Sequence, residues 1–413
     1  MISITTAILV TSEPPLKATT LTIATHYNNE QRAPLTACLV EYEKLHPGTT
    51  IIHRQLSYRD ILQTVFMARL GGSVPDIYYL ADSWTSQLVG SGALAVPPPD
   101  IAHFIESQYL KETRESMSSA GRIWGIPAEV AVYMLVYNRQ LFTEAGVAQP
   151  PGDWNALVEA ARRIARSNRQ GQLTVSGFAF GPNPAMGVNP FLAMLYSRGQ
   201  KLFTPDGRGT NLISPIAVDI LAGQARLFST HAVSLEAAPA FFPGGVVGMM
   251  IVPNWYKNDL RQSLGEHFTD KVGVAPIPGG PNWRTVQYGF FWAVDAKSPE
   301  QRAAWNLLKW LNSPHGANGR SCTGDMLMRL GALTGNRADL QASANELNTA
   351  FMKPFVDALS SGRALPLEST PHASEVESLL RSYLEEAWLG MLSPQEALRQ
   401  ADAGIRSILR NTD

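Results

Sequence analysis

The sequence predicts an α/β protein with a mostly parallel sheet, organised as two domains. Short apolar and β-branched runs alternate with amphipathic helical stretches through the first ninety residues, the pattern of strands joined by crossover helices. The chain has 413 residues, more than a single hydrophobic core ordinarily serves. Polar and aromatic residues also gather directly beside the predicted strands, where open α/β sheets bind their ligands.

Residues 21–25 alternate in polarity and run into a polar loop, HYNNEQ. Over 34–46 the apolar residues Leu35, Cys38, Leu39, Tyr42 and Leu45 keep helical spacing, with Pro34 near the start and Pro47-Gly48 at the stop. Residues 50–55 read as a strand. A second amphipathic helix over 59–70 carries Ile61, Leu62, Val65, Phe66 and Leu70 and closes at Gly71-Gly72. Residues 76–80 form a short apolar strand, Ser83 opens a further helix, and Pro97-Pro98-Pro99 interrupts the pattern. A turn, Trp124-Gly125-Ile126-Pro127, leads into the apolar run 130–137, the most strand-like segment of the chain. Asn138 and a short helix stopped at Gly146 follow it. Asp153 caps a helix whose apolar face is Trp154, Leu157, Ala161 and Ile164. Residues 177–190, rich in Gly, Pro and Asn, are expected to be loop.

Three strands follow, at 246–252, 272–275 and 290–294. The first ends in Pro253-Asn254-Trp255-Tyr256 and the second in Pro276 and the turn 278–281. Ser298-Pro299-Glu300-Gln301 is a capping box with proline at the first helical position, and Ser393-Pro394-Gln395-Glu396 repeats the device in a helical C-terminal region. There is no internal repeat and no low-complexity tract.

Composition narrows the function. The chain is 45% hydrophobic and 17% charged, which excludes global disorder. Its net charge is −1, from 34 basic and 35 acidic residues, with no basic stripe to grip phosphates, so nucleic acid is not an expected partner. Nine Trp and twelve Tyr supply rings that fill cores or form flat platforms for ligands. The two cysteines, Cys38 and Cys322, have no metal-binding spacing. Cys38 on a helix's apolar face reads as a small buried hydrophobe, and a long-range disulfide stays open beside that reading. No run reaches the ~18 apolar residues of a membrane span. The apolar run 2–10 has the length of a signal h-region, without a positive n-region before it or a lipid-accepting Cys after it. It is either a disordered or edge-strand N-terminus or the remnant of a signal whose start has been cut away.

No GxSxG, P-loop, HExxH or strand-anchored GxGxxG occurs, and the eight His are scattered without ligand spacing. No catalytic residue, metal or cofactor is therefore expected. The recurring pattern is a set of strand-end clusters: His26, Asn28 and Glu30; Asp82, Ser83 and Trp84; Glu129 and Tyr133; Trp255 and Tyr256; Gly289, Phe290 and Trp292. A cleft lined this way suits a neutral polyol, with rings on its apolar faces and carboxylates and amides on its hydroxyls. Each residue also has a plainer role. Trp255 can be core, Asp82 a helix cap, and Trp84 and Trp124 packing between layers, while one of Phe291 and Trp292 must face inward. Glu129 resists that treatment, because a carboxylate beside a buried strand must pair, reach water or serve a ligand.

Residues 125–164, GIPAEVAVYMLVYNRQLFTEAGVAQPPGDWNALVEAARRI, resemble the signature region of the extracellular solute-binding proteins of carbohydrate ABC importers, the group that includes maltose-binding protein. GGSVPDIYYLADSW, SPIAVDIL, FFPGGVVGMMIVPNW, WAVDAKSPEQRAAWNLLKWLNSP and SPQEALRQADAGIRSIL fall in the family's order. The similarity runs from about Leu21 to the C-terminal helix. It departs from the family where FFPGGVVGMM lacks a lysine, where DMLMRLGAL replaces a Gly-x-x-Pro, and in having no lipobox.

The resemblance implies a type II periplasmic-binding-protein-like fold, two lobes joined by hinge strands around a ligand cleft. Placed on this chain, the crossovers fall near 129–132, 275–278 and 324–328. Residues 1–20 are then an N-terminal segment outside both lobes, a signal remnant on the second of the two readings of the run 2–10. Residues 21–129 with 277–325 form lobe 1, and 130–276 with 326–413 form lobe 2. Trp255 falls at a stacking position and Asp82–Trp84 on a sugar-contacting loop. The implied function is a receptor, periplasmic or otherwise extracytoplasmic. It would act as a monomer, close on a mono- to trisaccharide or glycosylated polyol, and deliver it to the transmembrane subunits of a permease. Two alternatives stand beside it. One is the same fold taking a glycerol phosphate or other charged solute, with Arg329, and after it Arg122, as the cation. The more distant one is a glycoside hydrolase using Asp82 and Glu129.

Overall fold

The computed structural model describes residues 18–71, 74–181, 184–236, 239–315 and 317–410. The apolar run 2–10 lies outside them. Among the described residues no helix is long and apolar enough to cross a membrane.

An eleven-stranded mixed sheet runs through the molecule. Its strands in chain order are β1 (Thr19–Thr25), β2 (Thr49–Gln55), β3 (Ile77–Ala81), β4 (Ile126–Asn138), β5 (Arg166–Ser167), β6 (Leu173–Ala179), β7 (Val247–Pro253), β8 (Val272–Ala275), β9 (Thr285–Val294), β10 (Leu333–Thr334) and β11 (Ala364–Pro366). The spatial order is β2-β1-β3-β9-β4-β7-β6-β5, with β8 and β10 on β4 and β11 on β9. β1, β2 and β3 are parallel, as the strand–helix alternation predicts. β9 runs antiparallel to both β3 and β4.

The principal helices are α1 (Ala33–Leu45), α2 (Ile61–Gly71), α3 (Trp154–Ile164), α4 (Pro184–Ser197), α5 (Pro215–Ser229), α6 (Gln301–Leu311), α7 (Cys322–Arg329), α8 (Lys353–Ser360), α9 (Ala373–Trp388) and α10 (Pro394–Arg410). Asp153 caps α3 as its sequence predicts, accepting from the Ala156 amide at 2.9 Å. Ser393 caps α10, accepting from the Glu396 amide at 3.2 Å.

Hydrophobic burial separates into two lobes. In the first, β1, β3 and the far end of β9 pack with α1, α2 and α6 around Tyr79, Trp292 and Trp305. The second has a core on each face of its sheet. Trp154, Phe178, Phe191 and Trp388 fill one, and Met250, Tyr256, Phe351 and Phe355 the other. The chain passes between lobes where a single element contributes to both. β4 pairs with β9 up to Val132 and with β7 from Tyr133 onward. At ~3.3 Å per residue, its 13 residues span about 40 Å.

Two crossings differ from the sequence expectation. The second was expected at 275–278, where a strand meets a Pro-Gly turn. Instead the turn folds back on the second lobe: the Gly279 and Gly280 amides donate to the Gly152 carbonyl at 3.2 Å, and Ser197 Oγ donates to the Pro278 carbonyl at 3.0 Å. The chain crosses later, in β9, where Val286 packs in the second lobe and Phe290 in the first. The third crossing comes after α7, not within it. Met326, Leu327 and Ala332 belong to the first core and Leu333 to the second.

The expected loop at 177–190 is also corrected, since it holds the end of β6 and the first half of α4. Its glycines and prolines suggest a loop, but Phe178 and Phe191 are fully buried. The cysteine alternative is resolved: Cys38 on α1 and Cys322 at the start of α7 form a disulfide with their Cα atoms 6.2 Å apart, stapling two helices of the first lobe.

Candidate functional site

The strand-end clusters converge where the lobes meet. The loop after β1 brings His26 and Tyr27, the turn after β2 brings Tyr58, and the 3₁₀ turn after β3 brings Asp82 to Trp84. β4 contributes Glu129, β9 contributes Gln287 to Phe290, and the end of β7 contributes Trp255. Rings dominate. Tyr58 stacks on Trp84 with centroids 5.5 Å apart at 25°, and Phe290 lies parallel to Tyr79 at 5.3 Å. His26 packs against Phe290 at 4.8 Å and edge-on to Tyr58 at 5.7 Å. Trp255, half-buried, donates its indole N–H to the Tyr288 hydroxyl at 2.8 Å.

Glu129 is paired, which answers the difficulty it raised in the sequence. The Tyr27 hydroxyl donates to its Oε2 at 2.5 Å, and Tyr27 lies 3.2 Å from the Tyr79 hydroxyl. The partner is neutral, so burial still raises the Glu129 carboxyl above the ordinary range, with Tyr27 opposing. Asp82 is 4% exposed and its Oδ2 has no hydrogen-bond partner. Burial pushes this carboxyl up to about 7, against the Gly289 amide and the Ser116 hydroxyl. Asp82, Ser116, Glu129 and Gln287 enclose a cavity of about 10 Å³, roughly what one water molecule needs. Both amide atoms of Gln287 in its wall lack partners. His26 is held neutral, since burial lowers its imidazole to about 4.

Gly289 permits the contact of the hinge strands here. A Cβ on it would lie 2.2 Å from the Glu129 carbonyl oxygen, closer than any side chain tolerates, and the β9–β4 register shifts between Gly289 and Phe291.

Other sequence candidates lie elsewhere. Asn28 and Glu30 are exposed, and Asn28 Oδ1 accepts from the Gln31 amide at 2.9 Å, a local turn. Ser83 offers its carbonyl to Ser369 at 3.1 Å. Tyr133 is fully buried in the second lobe, with Asn189 donating to its hydroxyl at 2.9 Å. Tyr256 is core, its hydroxyl donating to the Pro239 carbonyl at 2.7 Å. Trp292, like Phe291, is fully buried, and its indole N–H reaches Thr323 Oγ1 at 3.3 Å. Strand alternation turns Phe291 to the opposite face from Phe290, while Trp292 shares Phe290's face one step further along and packs edge-on to Tyr79 at 4.5 Å in the first core. Arg329 stands on the outer face of α7, 69% exposed, bridging to Asp325 at 3.2 Å.

Sequence reasoning missed Tyr58, Tyr79, Tyr288 and Glu377. Tyr58 follows a strand, the same signal that found Asp82. Tyr288 sits beside Gly289 on a hinge strand. Glu377 has no local signal, because it is one of many acids on helix α9. That helix brings it within electrostatic reach of Tyr58 and Tyr133, and burial pushes its carboxyl up to about 7.

The comparisons agree with this architecture. The family model for bacterial extracellular solute-binding proteins matches residues 28–318. A chain named as a binding protein in Brucella abortus strain 2308 is 23% identical over 385 residues, 89% of this chain and 88% of that one. An arabinooligosaccharide-binding protein of Halalkalibacterium halodurans is 24% identical over 191 residues, 44% of this chain and 39% of that one. Among solved structures, the sugar-binding protein MalE of Xanthomonas citri has a TM-score of 0.79 at 17% identity, covering 95% of this chain and 98% of that one. The GacH receptor of Streptomyces glaucescens, solved unliganded and with acarbose, has a TM-score of 0.78 at 21% identity, covering 95% and 99%. At these identities the structural likeness is one of fold, and that fold is two-lobed.

Proposed function

Because the chain belongs to the bacterial extracellular solute-binding proteins, we propose that it is the receptor of an ABC importer and that its solute is a small carbohydrate, a mono- to trisaccharide or glycosylated polyol. The observation that carries this is the meeting of Tyr58, Trp84, Trp255 and Phe290 with Asp82, Glu129 and Glu377 at the junction of the lobes. Rings cover the apolar faces of a pyranose, and carboxylates accept from its hydroxyls. The sugars named for the relatives support the same class.

The lobes rotate about β4 near Val132, about β9 near Gly289 and about the link at 332–333. Ligand that touches both lobes stabilises the closed arrangement through contacts the open one lacks. The closed pair then presents one surface to the permease on the outer side of the membrane, as a monomer. The family is one of binding proteins, and nothing in this function calls for Asp82 and Glu129 to act as a hydrolytic pair. An anionic solute loses its support with Arg329 outside the cleft.

A thermal-shift screen against mono- and oligosaccharides, glycerol phosphates and peptides tests the reading. A ligand at a hundredfold excess over its Kd stabilises the folded state by about 2.7 kcal/mol. A shift produced by a sugar recovered intact is the expected result. A shift produced by glycerol phosphates alone would overturn it.

A further inference from the structure

Resting on that carbohydrate reading, we propose that the preferred ligand is an unacetylated amino sugar, its ammonium group held by Asp82, Glu129 and Glu377 and its ring seated on Tyr58, Trp84 and Trp255. Two carboxylates from distant parts of the chain, Asp82 and Glu129, line one small cavity beside Tyr288 and Gly289, and Glu377 joins them within electrostatic reach of Tyr58. Among the described residues none of the three is ion-paired. The sole side chain hydrogen-bonded to Glu129 is a neutral phenol, and one oxygen of the buried Asp82 carboxyl has no partner at all. The nearby imidazole, His26, is held neutral by its burial.

A neutral sugar gives such a site hydrogen bonds and no compensating charge. Closing the lobes over it takes several carboxylates further from water, which is costly for any that stay ionised. An ammonium group offsets that cost by charge-assisted hydrogen bonds, and the electron-rich faces of Tyr58, Trp84 and Trp255 attract the same cation. The rings also favour a cyclic ligand over a linear polyamine, since stacking needs a flat apolar face. The burial that raises Asp82 and Glu377 towards neutrality adds a signature: an arriving cation expels protons from these carboxyls.

The test is isothermal titration of the full chain at pH 7, in two buffers of different ionisation enthalpy. The probes are matched sets: glucosamine, galactosamine and mannosamine, their N-acetyl forms, and glucose, galactose and mannose, with spermidine as a linear amine. One amino sugar is expected to bind at least about tenfold tighter than its N-acetyl and neutral counterparts, with net proton release. Glu377→Gln and Glu129→Gln are each expected to shrink that ratio several-fold, with the unliganded melting temperature reporting that the variants fold. Equal or tighter binding of the neutral or N-acetyl sugars overturns the inference and leaves the carbohydrate reading intact. Binding of spermidine with no sugar bound overturns both. An undiminished ratio in both variants overturns the assignment of the carboxylates.

Discussion

Ser369 and Ser83 join the two lobes across the edge of the cleft. Ser369 Oγ donates to the Ser83 carbonyl at 3.1 Å and accepts from the Ser86 amide at 3.2 Å. Ser83 and Ser86 follow β3 in the first lobe, and Ser369 follows β11 in the second. No local pattern in the sequence distinguishes this serine, yet it bonds lobe to lobe beside the turn that carries Asp82 and Trp84.

Ser369→Ala removes both bonds between the lobes, which on the proposed closure belong to the ligand-bound arrangement. Hydrogen bonds of this kind are worth ~0.5–1.5 kcal/mol each, so loss of the two is expected to lower sugar affinity about five- to 140-fold through a faster off-rate. Stopped-flow dissociation checks it, and an unchanged off-rate would remove the latch from the account.

Trp255→Ala deletes a cleft ring and strips Tyr288 of its indole donor. Loss of a stacking aromatic at a binding centre costs ~2 kcal/mol or more, so a Kd at least about thirtyfold higher is expected. Trp255→Phe keeps a ring and should recover part of the loss. Ligand-induced quenching of tryptophan fluorescence should shrink in both, and full affinity in Trp255→Ala would show that the ring is packing only.

Asp82 and Glu377 should each lower unliganded stability as pH rises between about 4 and 7, against an opposite slope from His26, whose imidazole is lowered by burial from 6.5 to about 4. Burial raises Asp82 from 3.8 and Glu377 from 4.5, both to about 7. Over that window these two carboxyls therefore hold more protons in the folded state than in the unfolded one, and each makes unfolding easier with rising pH, by at most ~1.4 kcal/mol per pH unit. Above pH 7 this contribution is constant. Melting temperatures of the unliganded protein from pH 5 to 8, beside those of Asp82→Asn, measure it. An equal slope in the two proteins would clear Asp82 of the effect.

Gly289→Ala should destabilise the junction of the hinge strands. The added Cβ meets the Glu129 carbonyl at 2.2 Å, backbone against backbone, so β9 and β4 must separate. A melting temperature several degrees lower is expected for an overpacked site costing ~1–3 kcal/mol, and a wild-type melting curve would show that the strands part freely.

The double variant Cys38→Ser, Cys322→Ser should lose stability in the first lobe. The disulfide closes a separation of 284 residues, and removing such a link costs on the order of 2–5 kcal/mol. A bond of this kind persists in an oxidising compartment, which fits a protein outside the cytoplasm. Denaturant unfolding with and without reductant measures the loss, and coincident midpoints would argue against the pairing.

Much of the scaffold was legible from local patterning. The alternating strands, the amphipathic helices behind Asp153 and Ser393, and the apolar strand in β4 follow from side-chain period, because each element buries its own face, while the crossing between lobes through β4 was implied by the family resemblance. The cleft was partly legible for the same reason. Residues just beyond a strand end must lie at the edge of the sheet, and that rule found Asp82, Trp84, Glu129, Trp255 and Phe290. It also drew in Trp292, which shares Phe290's face but is covered by the first core, and Tyr256, which the second core absorbs.

The sequence by itself thus determined the α/β class, the family resemblance and the strand-end residues, since these depend on neighbours a few positions apart. Tertiary structure alone decided that Asp82 and Glu129 share one cavity with Glu377 in electrostatic reach of Tyr58 beside them, that Cys38 meets Cys322, and that the second crossing falls in β9. The physical reason is that a helix with several acids presents whichever one its packing turns toward the cleft. That packing depends on the order of strands in the sheet, which no local period records.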